Sequence, residues 1–277
     1  VLKSQVILVV GACILVTGLF LLPKVVVKNP SGLATQESLN AQKMEKSTNE
    51  NHNNMEISES QKQKIATFKT NLLKATQHSE KIKWADSLSV AFKAANQWDS
   101  AAVYLEKIAE KENSETWWLK TAETYFEAFT FALDTLKIRS LGQKSYASYE
   151  KVLNLNENNL LAQTKMGVIY KTLNPQAPMK GIQMVSAVVK KDPQNELALF
   201  YLGTFFAERG AFDDAIDRFE KVVAINPKNP DAWIYLAQCY EETQKPQKVK
   251  EALEKVLRLD VAPEIKKEIE KKIKSIR

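Results

Sequence analysis

From about residue 82 to residue 263 the apolar residues recur at i, i+3, i+4 and i+7, the spacing of one face of a helix. In Glu196–Asn229 the first such face carries Leu199, Leu202, Gly203 and Phe206, and a second carries Ala215, Phe219 and Val222. Gly210 separates them, at a point where a left-handed backbone is cheap only for glycine. Pro227 closes the second helix. Small residues at Gly203 and Ala215 predict that the two helices cross closely. A lone helix pair cannot bury its apolar face, so neighbours must stack on it.

The pattern repeats on both sides. In 230–263, Trp233, Leu236, Ala237 and Tyr240 take the first-helix positions, and Val249, Leu253 and Val256 the second, with Pro246 at the turn. In 160–195 the matching residues are Met166, Gly167, Tyr170, Gly181, Val185, Val188 and Pro193, with extra residues in the turn Asn174–Pro178. In 115–159 they are Trp118, Ala122, Tyr125, Tyr149, Val152 and Leu155. That unit is about eleven residues longer than the ~34 of the others. Two helices each lengthened by roughly a turn and a half, with the bend near Ser140–Gln143, would absorb the surplus. The first unit, 82–114, carries Leu88, Phe92, Trp98, Ala101, Leu105 and Ile108.

Taken together, Gly203, Ala215, Phe219 and Pro227 and their counterparts resemble the tetratricopeptide repeat family over roughly residues 82 to 263. The resemblance implies an all-α fold, a right-handed superhelix of about five helix hairpins. It also implies a function in holding proteins rather than in catalysis. Capping helices are expected at both ends, because terminal repeats need a polar outer face. Residues 60–81 offer Ile65, Phe68 and Leu72, and residues 264–277 offer Ile265, Ile269, Ile273 and Ile276, backed by lysines.

In this family the inner groove is lined by the first helix of each repeat. The matching positions are Asp86, Val90, Leu119, Glu123, Thr164, Val168, Phe200, Thr204, Ile234 and Gln238, with Tyr201 and Tyr235 as further contact candidates. The groove should be apolar and neutral in its middle, which suits an extended or helical peptide with hydrophobic anchors. Packing against adjacent helices is the competing explanation for Leu119, Phe200 and Ile234. The Lys/Asn/Arg clamp of the chaperone-binding members is missing, since Asp86 and Glu123 stand where it would need donors.

Ahead of the repeats, Val6–Leu22 is an almost unbroken apolar run, close to the ~17-residue lower limit for a membrane span. Residues 1–28 are read as a signal-anchor transmembrane helix. A cleaved secretory signal and a lipidated Cys13 are the alternatives. Lys3, Lys24 and Lys28 flank the run without fixing its orientation. Residues 29–59, rich in Asn, Ser, Gln, Glu and Lys, cannot bury enough apolar surface to order themselves. They are expected to form a polar tether reaching on the order of 30 Å. The whole describes a single-pass protein of the bacterial inner membrane, its repeat domain on the periplasmic side. A cytoplasmic-facing assembly factor is the alternative. Asp86-Ser87-Leu88, Asp99-Ser100-Ala101 and Asp134-Thr135-Leu136 resemble an O-glycosylation sequon of some exported bacterial proteins, although all three fall in expected helices.

The formal net charge is +6. Residues 245–277 hold eleven Lys/Arg against six Asp/Glu, a local excess of +5, so the rest is nearly neutral. That argues against a nucleic-acid groove along the array and leaves the final helix as a candidate contact for anionic lipid. Chemistry is hard to find. No glycine loop cradles phosphate and no G-x-S-x-G elbow occurs. His52 and His78 lack partners at metal-ligand spacing, with His78 expected in the capping helix. Asp213 and Asp214 open a helix, where its dipole favours them. Cys13 and Cys239 fall in different predicted helices, so no disulfide is expected. No cofactor, metal or active site is expected; the expected partners are a protein or peptide and the membrane.

Overall fold

The computed structural model describes residues 57–276. The predicted membrane helix and the polar tether lie outside the described residues, and so does His52. Among the described residues, twelve α-helices follow one another and no strand occurs. They are α1 (Glu59–Lys74), α2 (His78–Ala94), α3 (Trp98–Glu112), α4 (Glu115–Phe131), α5 (Thr135–Leu155) and α6 (Leu160–Leu173). Then come α7 (Met179–Lys191), α8 (Glu196–Glu208), α9 (Phe212–Ile225), α10 (Pro230–Glu242), α11 (Pro246–Leu257) and α12 (Pro263–Ser275). Each packs on the next, and α8 also touches α6 and α10. No described helix is long and apolar enough to cross a membrane.

The connections that join one hairpin to the next are built alike. At Asn156, Asp192 and Asn226 the side chain accepts the N–H of the residue two further on, at 3.1 Å in all three. Three residues later Asn159, Asn195 and Asn229 cap α6, α8 and α10, accepting the N–H groups of Ala162, Ala198 and Ala232. Short polar side chains can satisfy these turn and helix-start donors, which would otherwise be orphaned. A second device ties the turn to the hairpin before it. Glu115 Oε1 accepts from the amides of Asn156 and Asn159 at 2.9 and 2.8 Å. Glu196 Oε1 does the same for Asn226 and Asn229, at 3.0 and 2.9 Å. The Asn159 and Asn156 hydrogen bonds hold the Glu115 carboxyl below its ordinary range.

Within the hairpins, close approach depends on what stands at the crossing. Where α6 meets α7, a Cβ on Gly181 would lie 2.5 Å from the Gly167 carbonyl oxygen, and one on Gly167 would lie 2.8 Å from that of Gly181. Backbone therefore lies directly on backbone. In the α8–α9 hairpin the place of Gly203 is needed by the Phe219 ring, which a Cβ would meet at 2.8 Å. Gly210, with φ +74°, makes the left-handed turn expected of it. Leu88, Leu105, Tyr149, Val185, Phe219 and Val256 are wholly or almost wholly buried along the array, so apolar packing runs from its first hairpin to its last.

Three expectations are corrected. The bend of the long hairpin lies at Ala132–Asp134, and α5 runs unbroken through Ser140–Gln143. Asp134 starts α5 by accepting the Lys137 N–H at 2.9 Å, a helix-start signal. Gly142 is not a turn glycine; its bare Cα lets α5 pack against Phe129 and Leu173. The added length is uneven, since α4 has 17 residues and α5 has 21 where α8 and α9 have 13 and 14. Second, His78 opens α2 rather than ending the cap, and reaches Glu112 on α3 at 2.5 Å. Third, α12 seats only partly. Ile269 is buried, whereas Ile265 stays 43 % exposed.

Candidate functional site

The first helices of the hairpins share one surface. Lys120 on α4 pairs with Asp86 on α2, and Lys171 on α6 pairs with Glu208 on α8. Lys165 on α6 donates to the Tyr201 hydroxyl on α8 at 3.2 Å. The Phe200 ring on α8 lies 5.5 Å from Tyr235 on α10. Alternate helices that touch in this way lie on the inner side of the stack, where a ligand could span several repeats.

The anticipated groove residues divide on this surface. Val90, Glu123, Tyr235 and Gln238 are exposed, and Leu119, Phe200, Tyr201 and Ile234 are half-buried. Thr164 is fully buried, its hydroxyl donating to the Leu160 carbonyl at 2.8 Å. Thr204 is 8 % exposed and donates to the Tyr201 carbonyl, and Val168 is equally covered. These three are parts of the wall rather than its lining. Phe200 packs edge-on against Tyr201, Phe219 and Tyr235, so it supports the surface from within. Asp86 is engaged by Lys120.

The middle of this surface carries charge, contrary to the neutral strip expected. Lys165 Nζ sits 3.7 Å from the centre of the Phe126 ring and 5.4 Å from that of Tyr201. Burial lowers its pKa below the ordinary lysine value, while Glu127 and Glu123 oppose that shift. An ammonium held between aromatic faces keeps much of its charge stabilisation without a carboxylate contact. Burial pushes the Tyr201 phenol up to about 12. Lys165 was legible in the sequence only as a polar residue in an apolar helix; its aromatic cage comes from α4 and α8.

A cleft of about 520 Å³ opens where α10, α11 and α12 meet. Ala237, Val249, Leu253 and Ile269 make its floor, with Ile234 and Ile265 on facing sides. Its rim is polar, from Gln238, Glu241, Glu264, Glu268 and Lys272. Glu241 is paired with Lys272, and Glu268 with Lys271 at 2.7 Å. The cleft exists because α12 leans on α11 through Ile269 and leaves Ile265 uncovered. Its volume and apolar floor are those of sites that bind small molecules or side chains. Of the anticipated groove residues, Ile234 and Gln238 line it. The walls from α12 could not be anticipated, because the terminal stripe reads as a helix seated along its whole length.

Nucleophile–base constellations are not what these surfaces offer. Asp213 and Asp214 stand in the first turn of α9, Asp213 facing Lys245 at 3.3 Å. Cys239 is buried, and burial together with Glu242 pushes its thiol up to about 11. Among the described residues no cluster of three or more His, Cys, Asp or Glu is arranged to hold a metal ion.

Models of the tetratricopeptide repeat match residues 206–267 and 178–230. Anaphase-promoting complex subunit 3 of Dictyostelium discoideum is 28% identical over 110 residues, which is 40% of this chain and 11% of that one. Tetratricopeptide repeat protein 36 of Caenorhabditis elegans is 33% identical over 98 residues, 33% of this chain and 55% of that one. The chain thus spans only about a tenth and about half of these two relatives. The crystal structure of a tetratricopeptide repeat protein from Parabacteroides merdae superposes with a TM-score of 0.55 at 16% identity, covering 76% of this chain and 77% of that one. That likeness speaks to fold. With two repeat matches on α7–α12 and hairpins of the same construction preceding them, the chain is a tetratricopeptide-repeat protein.

Proposed function

We propose that this chain is a non-catalytic scaffold that holds a helical segment of a partner protein in the cleft between α10, α11 and α12. The single observation that carries the proposal is that cleft, with its apolar floor, exposed Ile265 and polar rim. An amphipathic helix could place two or three apolar side chains on Leu253 and Ile269. Glu264 on the rim favours a basic residue at the edge of that helix. The inner surface formed by Tyr201, Tyr235 and the Lys165 cage would extend the contact towards the first repeats.

The array is further proposed to be tethered to a bacterial inner membrane through Val6–Leu22, with the repeats on the periplasmic side. What supports this is the apolar run and the polar stretch after it. Protease added to intact spheroplasts should digest the repeats in that orientation, and spare them if they face the cytoplasm.

A photo-cross-linking residue at Gln238, introduced in native membranes, should trap one protein stoichiometrically. Ile265→Glu should reduce the cross-link at least tenfold while leaving the helical content unchanged, because Ile265 is 43 % exposed. A folded Ile265→Glu protein that traps the same partner as well as before would refute the cleft assignment.

A further inference from the structure

The long second hairpin ends in an apolar tip that its neighbours do not cover. Phe131 is 62 % exposed, Leu133 85 % and Leu136 76 %. Gly142 on α5 lies level with Leu173, the last residue of α6, which a Cβ there would meet at 3.2 Å. The seven steps from Gly142 back to Thr135 rise about 10 Å at 1.5 Å each. The turn therefore stands proud of the adjoining hairpin. Helix extension normally serves to bury apolar surface, yet this one carries two leucines and a phenylalanine outward.

The surroundings indicate what could meet it. The Trp98 ring stacks on Phe131 at 6.2 Å, and Lys93 Nζ lies 5.8 Å over Trp98. Lys137 and Arg139 follow Leu136 within one turn of α5. Two nearby acids accept backbone N–H groups, and Glu123 and Glu127 face Lys93. Asp134 accepts the Lys137 N–H, and Asp99 accepts the Ser100 N–H at 2.7 Å. An apolar apex, an aromatic shoulder and cations behind it match the order of layers at a lipid surface: acyl chains, interface, phosphates. A convex tip has no walls to wrap a peptide, whereas a bilayer accepts a wedge.

We propose that the Phe131–Leu136 turn inserts into the interface of an anionic lipid bilayer, with Lys137 and Arg139 against the phosphates. The contact is separate from the cleft and does not depend on the reading of that site. It would hold the array at a set angle to the membrane rather than merely near it.

The test uses residues 57–277, a compact unit with its own buried core, so that the amino-terminal apolar run cannot contribute. Flotation is measured with phosphatidylglycerol-containing vesicles and with pure phosphatidylcholine vesicles. The protein should float with the anionic vesicles and less so as salt is raised. Leu133→Ser/Leu136→Ser should lower the bound fraction at least tenfold with unchanged circular dichroism, since both side chains are exposed. Failure of the parent to float, or full binding by the double variant, overturns the proposal. Binding that survives in the double variant but disappears on truncation before Pro263 assigns lipid contact to α12 instead and also overturns it. A parent dimer that the double variant disperses, without vesicle binding, makes the tip a self-association surface and overturns it too.

Discussion

Replacing Gly181 by alanine sets two opposing effects against each other. Alanine is the better helix former by about 1 kcal/mol in a helix interior, and by less at the third residue of α7, where Gly181 stands. Propensity alone therefore predicts a small gain. Packing predicts the reverse. The new Cβ would lie 2.5 Å from the Gly167 carbonyl oxygen and 2.7 Å from the Lys171 backbone nitrogen. Both are main-chain atoms and cannot rotate away. Restoring an ordinary contact of ~3.5 Å requires α6 and α7 to part by roughly 1 Å. Overpacking of a filled core costs about 1–3 kcal/mol, so the net loss is expected near 1–2 kcal/mol. For a unit of this size that lowers the thermal midpoint by roughly 2–8 °C. Melting of residues 57–277, followed by circular dichroism at 222 nm, gives the answer. Gly210→Ala supplies the comparison: nothing lies within 4 Å of its Cβ, so only the φ of +74° resists it, at about 1–2 kcal/mol. If Gly181→Ala melts at or above the parent temperature, the close crossing of α6 and α7 is wrong.

Two further outcomes follow from single contacts. Glu115 has its folded pKa depressed by the Asn159 and Asn156 hydrogen bonds, so its stabilising effect is present above the unfolded value of about 4.3 and is lost as pH falls through the folded value. The urea midpoint of the parent should therefore fall more between pH 5 and pH 3 than that of Glu115→Gln, and equal pH slopes would remove the linkage. Cys239 is the single cysteine of residues 57–277, 1 % exposed, with its thiol pushed up to about 11. Ellman's reagent at pH 8 should find no reactive thiol in the folded protein and one after denaturation; rapid native labelling would contradict its burial.

Residue periodicity determined a large share of this molecule, because stacked hairpins are held together mostly by neighbours close in sequence. Gly203, Gly210, Ala215 and Phe219 identified one hairpin by size and spacing alone, since each must fit a fixed crossing or turn. The repeated Asn and Asp turns at Asn156, Asp192 and Asn226 were equally open to reading, as were the caps three residues after each. Asp134 was as well, although the bend was expected near Ser140–Gln143, a stretch that holds Gly142: a glycine that admits a neighbour looks like one that admits a turn. Tertiary structure decided what no local pattern contains. Thr164 and Thr204 sit at groove spacing yet face inward, since the positions of adjacent helices settle which side is covered. The Lys165 cage joins three helices, and the cleft depends on how far α12 leans from α10. Local sequence specifies helices and turns through short-range sterics and hydrogen bonding. The shape left open between distant elements is fixed only when their side chains compete for the same space.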